Sequence, residues 1–439
     1  MPHDRRIAQR MNRLEALMER LVDQVQPAGR APPSERTSAS RESPSVSAYD
    51  SGVQFSGSAS DADYTSANLS IDDVDAPGTI AISSASGKMR SVGGALFEVY
   101  PTQHDVEIIL ASPTGSKIAE SLLYSEHDIA TGRAESLCEV LQRPPPHAHP
   151  VVVAKRLLYF ALCLQHMSPS FDPAQLDALT PAPKLAAKLA SAVGTLVCLD
   201  DDLVCCAEGL EVLSLHMMCH VNVGNLRKAW LAVRRALSLG DLMWANTQGR
   251  LAALQYCDPA SDPLKRPRPA VVWFNLNYFE RYLSLLLGLP TASHDDAFRM
   301  MGLATELSPR EKLKVANGLI TGRVIARNLS GVEDYLITLE IDCELKRAAE
   351  EMPAAWWASP GDTAADPDLI TDEGVTGDIG SLILQSRHYN LVMMLHLPYV
   401  LRSATEPRWD YSKTACLAAS REVLARYARF RRLYGQRMS

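Results

Sequence analysis

The sequence predicts an all-α body preceded by a short coiled-coil segment and a disordered linker, and three observations predict it. Apolar residues recur at helical spacing through long segments from residue 150 onward. Glycine, asparagine and proline punctuate those segments where helices stop, and no glycine-rich strand–helix turn interrupts them. Of the 439 residues 46% are apolar and 22% charged, a globular balance with length enough for two or three domains.

Residues 1–26 carry the cleanest periodicity. Ile7, Met11, Leu14, Met18, Leu21 and Val25 alternate in steps of four and three, the seam of a heptad repeat with Leu14 and Leu21 at d. Arg10 at g faces Glu15 at e of a partner helix, so dimerisation, homotypic or heterotypic, is the expected role. A single amphipathic helix packed on its own protein is the alternative. Pro27 ends the helix. Residues 27–78 are crowded with serine, and Asp61, Asp63, Asp72, Asp73 and Asp75 add charge without a lysine or arginine between them. Such a stretch buries too little apolar surface to offset its ordering entropy and reads as a disordered linker, with an acidic activation segment as the functional alternative. Residues 79–149 read as irregular, with short strand-compatible runs at 95–100 and 106–110.

From 150 to 439 the pattern is helical. Helices are expected over 151–167, 183–199, 202–221, 224–239, 271–288, 308–328, 332–351, 379–402 and 412–434, with Gly240, Gly288, Asn328 and Pro353 as stops. The acidic stretch 353–379 reads as a disordered loop. In the helix over 224–239, Leu226, Ala229, Trp230, Val233 and Leu237 form the buried stripe, leaving Arg227, Lys228, Arg234 and Arg235 solvated. In the last helix Val423, Tyr427, Phe430 and Tyr434 read as the buried stripe. Lys413, Arg421, Arg426, Arg429, Arg431, Arg432 and Arg437 are then solvated, with nucleic-acid contact or nuclear import as alternatives.

The net charge of −7 excludes polyanion binding by the protein as a whole. Two apolar windows, 271–289 and 382–401, contain Asn275, Asn277, Glu280 and Arg281, and Arg387, His388, Asn390 and His396, so neither suits a membrane. Nine irregularly spaced cysteines without a C-x-x-C pair fit a reducing compartment. Phosphate loops, dinucleotide fingerprints, H-E-x-x-H and G-x-S-x-G are absent. His216, Cys219 and His220 share a helical face that zinc accepts in principle, but their neighbours read as core. Asp200, Asp201 and Asp202 suit either Mg²⁺ beneath a pyrophosphate or the favourable end of a helix dipole, and the second reading is preferred. No catalytic residue and no cofactor are expected.

Three short elements remain. The first is Gly224-Asn225-Leu226-Arg227-Lys228-Ala229-Trp230, running on to Ala236 and Gly240. The second is Val272-Trp273-Phe274 followed by Tyr278, Glu280-Arg281, Ser284, Gly288 and Pro290. The third is His388-Tyr389, Leu395-His396 and Pro398-Tyr399. In this order, over residues about 150 to 402, they resemble the middle homology region of fungal zinc-cluster transcription factors. The resemblance implies the regulatory part of a nuclear transcription regulator of RNA polymerase II genes, including those of a secondary-metabolite cluster, and not an enzyme. It also implies transcription co-regulators as partners. An α-helical enzyme of secondary metabolism and a helical interaction scaffold are the alternatives. The family's six-cysteine, two-zinc module is not among these residues, so zinc is expected only with an upstream cluster. DNA contact is expected through a missing or partner-supplied module. Leu289 and Leu397 stand where the family commonly has arginine.

Overall fold

In the computed structural model the described residues are 78–436, apart from 112, 137–138, 141, 168–170, 247–253, 259–260, 305, 331–333, 359–371, 401 and 405. The heptad positions Ile7, Met11, Leu14, Met18, Leu21 and Val25, and the linker up to residue 77, lie outside them. Among the described residues every regular element is a helix.

The stretch expected to be irregular is helical: α1 (Gly78–Glu98), α2 (Gln103–Leu110), α3 (Pro113–Leu123) and α4 (Glu126–Ala130). Val106, Ile109 and Leu110 fall at i, i+3 and i+4 and are buried together. The Thr102 hydroxyl accepts the Asp105 amide at 3.2 Å, and Ser125 and Asp128 form a reciprocal capping box. A short apolar-rich run suits helix and strand alike, and here the caps and the packing partner decide.

That partner is α5 (Pro150–Gln165), apolar on nearly every side and buried on nearly every side. It is surrounded by α1, α2, α3, α6 (Ala182–Val193) and α8 (Ala207–Asn222). The single helix expected over 202–221 is broken into α7 (Asp201–Val204) and α8. Between them Cys206 is extended, and the Ala207 amide donates to the Gln255 carbonyl at 2.9 Å, which diverts the backbone from the helix.

The chain continues through α9 (Leu226–Asn246), α10 (Pro269–Leu287), α11 (Asp296–Ala304) and α12 (Pro309–Leu329). It ends with α13 (Tyr335–Glu350), α14 (Ala354–Trp357), α15 (Asp372–Val400) and α16 (Asp410–Gln436). Two expectations are corrected here. The acidic stretch carries α14 and, from Asp372, the start of α15, while residues 359–371 lie outside the description. Gly240 does not stop α9, which runs on to Asn246. Its missing side chain serves packing instead: a Cβ there would sit 2.3 Å from the indole of Trp273 on α10. Gly288 is a true stop, left-handed at φ 66°, with the Leu289 amide reaching back to the Ser284 carbonyl at 2.9 Å.

α15 and α16 pack along their lengths. Ser412 meets His396 and Arg426 meets Gln385, so the two helices run antiparallel. A large core surrounds α5, and a smaller one gathers Ile320, Val324, Ile341, Leu345, Leu391 and Leu395. α10 joins them, placing Phe274, Leu276 and Leu283 in the first and Leu285 in the second. Alanine normally stabilises a helix interior relative to glycine by about 1 kcal/mol. At position 240 overpacking against Trp273 reverses that sign, and Gly240→Ala should lose about 1–2 kcal/mol in urea unfolding.

Candidate functional site

The first two sequence elements meet in one polar clamp. Glu280, fully buried in α10, accepts from Arg234 of α9 at 3.2 Å, the Ser284 hydroxyl at 3.0 Å, the Ala292 amide at 3.0 Å and the Thr291 hydroxyl at 2.5 Å. The Trp230 indole N–H donates to Ser284 at 2.9 Å, and the Pro290 carbonyl lies 3.5 Å from the same hydroxyl. Next along the chain, Arg281 turns to another side, as helical geometry requires. It donates to the Ser293 hydroxyl at 2.8 Å, the Gly318 carbonyl of α12 at 3.0 Å and Asp295 at 2.6 Å, with Phe298 4.5 Å beneath its guanidinium. Together the two residues hold the 289–295 turn against three helices. Arg234, half-buried, is therefore the partner of a buried carboxylate rather than a free surface cation, and Arg235 pairs with Asp201 at 2.7 Å. Arg227 and Lys228 are exposed.

Trp273, Phe274 and Tyr278 face other neighbours. Trp273 covers Gly240, and Phe274 and Tyr278 each lie 5.3 Å from the ammonium of Lys314, which donates to Asn275 at 2.5 Å. Burial, reinforced by repulsion from Arg387, lowers the Lys314 pKa from 10.5 to about 7 against the pull of Glu311 and Glu126.

His396 and Pro398 belong to a second node. The fully buried His396 lies 2.9 Å from the Ser412 hydroxyl and 3.1 Å from Asp342. Lys346 at 2.9 Å and the Tyr411 hydroxyl also bond Asp342. Burial alone would raise the Asp342 pKa; the bonds from His396, Tyr411 and Lys346 outweigh it and hold the carboxyl well below its ordinary range. Pro398 sits exposed inside α15, where its missing N–H loosens the preceding turn. Arg327 of α12 reaches into that turn, donating to the Leu395 carbonyl at 2.8 Å and to Thr338 at 2.9 Å.

On α16 the expected stripe is displaced. Tyr427 is 57% exposed, whereas Arg426 is fully buried, bonded to Gln385 at 2.9 Å and the Trp357 carbonyl at 3.1 Å and stacked 4.4 Å over Tyr389. Sequence reasoning missed the roles of Arg327, Asp342 and Arg426 because the partners Leu395, His396 and Gln385 lie 68, 54 and 41 residues away and leave no local pattern.

Two openings accompany these nodes. Beside the second, α13, α15 and α16 border a groove of about 630 Å³, lined largely by Leu345, Met352, Trp357, Tyr389, Val392 and Ala419. It falls within the volume range of ligand sites and offers mostly apolar walls. In the amino-terminal half a cavity of about 900 Å³ carries both signs of charge. Lys155 pairs there with Glu211 at 2.7 Å and Arg156 with Glu135 at 3.0 Å.

The other sequence candidates are engaged separately. Asp200 does not cap its helix with its side chain but pairs with Lys88 at 2.7 Å. His216 and His220 meet edge to face at 4.6 Å, burial lowers the His216 pKa to about 4, and Cys219 is sunk in the core. The described cysteines do not fit a two-zinc cluster, since Cys163, Cys198, Cys219 and Cys416 are packed as buried apolar residues.

No protein-family model matches the chain, and no solved structure does. Curated proteins do. The transcription factor sdnS of Sordaria araneosa is 37% identical across 98% of this chain and 58% of its own length. The chain is similar to fungal transcription regulators. The dehydrocurvularin biosynthesis regulator of Aspergillus terreus is 34% identical over 77% of this chain and 47% of its own length. The transcription factor eupR of a Phoma species is 29% identical over 91% and 82%. The chain thus spans about half the length of the first two relatives.

Arg234→Ala leaves Glu280 buried without a cation and should cost roughly 2–4 kcal/mol in urea unfolding. Arg227→Ala, on the exposed face of the same helix, should stay within about 0.5 kcal/mol of wild type. Lys314 binds its proton less tightly folded than unfolded, so the associated penalty is complete below about pH 7 and is relieved as pH rises towards 10.5. Relative to Lys314→Met, the wild type should gain stability across that window by up to about 1.4 kcal/mol per pH unit. Parallel stability–pH curves for the two proteins would refute the assignment.

Proposed function

We propose that this chain is the helical regulatory part of a nuclear transcription regulator acting on RNA polymerase II genes of a secondary-metabolite cluster. The observation that carries the reading is the similarity to sdnS across 98% of the chain, which takes in the whole helical body. The dehydrocurvularin biosynthesis regulators, named for a biosynthetic product, support the secondary-metabolite part. The three sequence elements that resemble the middle homology region support the regulatory part.

In this reading the residues of the helical body hold shape and transmit partner contacts, and none is assigned a bond-making role. The heptad segment of Ile7, Met11, Leu14, Met18, Leu21 and Val25 pairs two chains. DNA is read by a zinc-cluster module outside these 439 residues or by one that a partner carries. The apolar groove beside Tyr389 and Trp357 receives a co-regulator. Fused to a heterologous DNA-binding module in a fungal host, residues 1–439 should enter the nucleus and change reporter transcription several-fold. A nuclear fusion that leaves the reporter unmoved would defeat the regulatory reading. The purified chain alone should give no tight, sequence-selective complex in a mobility-shift assay.

A further inference from the structure

We propose that Cys206, Glu208 and Cys257 form a binding site for one zinc-class divalent ion. One ligand atom from each residue, two thiol sulfurs and a carboxylate oxygen, lies within 4.8 Å of the others. Around a tetrahedral zinc with sulfur bonds near 2.3 Å, neighbouring sulfurs stand about 3.7 Å apart, so a contraction of about 1 Å closes the set.

The fold builds this triad from two segments far apart in sequence. Cys206 is the extended residue immediately before α8, and its side chain makes no capping bond. Glu208 lies in the first turn of α8. The 255–258 segment runs alongside, tied by the Ala207 amide to the Gln255 carbonyl. Both oxygens of Glu208 are then oriented by backbone amides, one from Cys257 at 2.9 Å and one from Asp258 at 3.2 Å. These bonds leave each oxygen a lone pair and fix the carboxylate as outer-shell partners fix a metal ligand.

Charge is the second argument. Glu208 is 7% exposed, and among the described residues no lysine or arginine forms an ion pair with it. Other buried or half-buried carboxylates of the same region, Glu211 and Glu135, have theirs in Lys155 and Arg156. A carboxylate withdrawn from water with two soft thiols beside it matches a thiolate-binding cation in charge and softness. Access is the third: Glu208 and Cys257 line the 900 Å³ cavity, which also carries His149 and admits water or an imidazole to the fourth position. On binding, two sulfur–metal bonds form, and the two thiol protons leave to buffer through the cavity.

Cobalt(II) alone, titrated into the metal-stripped full chain, is the probe. Equimolar cobalt should produce thiolate-to-metal charge-transfer absorption and the intense visible bands of a tetrahedral site, and zinc should bleach both. Cys257→Ser, at a half-buried position, and Cys206→Ser should each abolish the charge-transfer absorption. Glu208→Gln should weaken cobalt affinity by at least about tenfold. Cys163→Ser and Cys219→Ser, with thiols elsewhere in the core, should retain the spectrum. Circular dichroism of each protein separates loss of metal from loss of fold. The proposal is overturned if the folded wild type shows no cobalt–thiolate absorption, or if Cys257→Ser keeps it. It is overturned equally if mild peroxide consumes these two thiols as a disulfide in a chain that takes up no cobalt.

Discussion

A carboxylate without access to water holds the middle of this protein together. Glu280 sits on α10, the helix that belongs to the two larger apolar cores, and it has no solvent with which to share its charge. It must collect hydrogen bonds from whatever surrounds it, and it does so from α9, from its own helix and from the turn after Gly288. Arg281 performs the complementary task one residue later, on α12 and on Ser293 and Asp295. Buried groups of this kind tolerate few alternative arrangements, since each misplacement strands a charge or a donor. The turn at 289–295 and the order of α9, α10 and α12 follow from satisfying them.

The second node applies the same logic to the carboxy-terminal helices. Asp342, His396 and Ser412 come from α13, α15 and the first turn of α16, and Arg426 adds a buried cation farther along. These contacts fix the register of the antiparallel pair, whose second helix α16 mixes apolar residues with many charged ones. The groove beside them is thus bordered by hydrogen-bonded side chains as well as apolar ones.

Part of the charge in this body is spent internally. Arg281, Arg327 and Arg426 are buried against carboxylates or carbonyls, and the half-buried Arg234 pairs with Glu280. The cavity at the amino-terminal end neutralises itself through Lys155, Arg156 and their acidic partners.

Helical class and the placement of most helices from 150 onward were legible in the sequence, because apolar spacing and caps are local and survive without tertiary context. The resemblance also singled out Trp230, Glu280, Arg281, Ser284 and His396, whose side chains hydrogen-bond within the two nodes. What the pattern could not distinguish was a short apolar-rich run in a strand from one in a helix, and at 95–98 and 103–110 the caps and the surface of α5 settled it as helix. Nor could it say that Gly240 is a contact and not a stop, that Arg234 and Arg426 turn inward while Tyr427 turns out, or that Cys206 and Cys257 meet. Each of these depends on a partner supplied from another part of the chain. Periodicity records which face of a helix is apolar; only the packed structure decides which polar groups lose their water and must find each other.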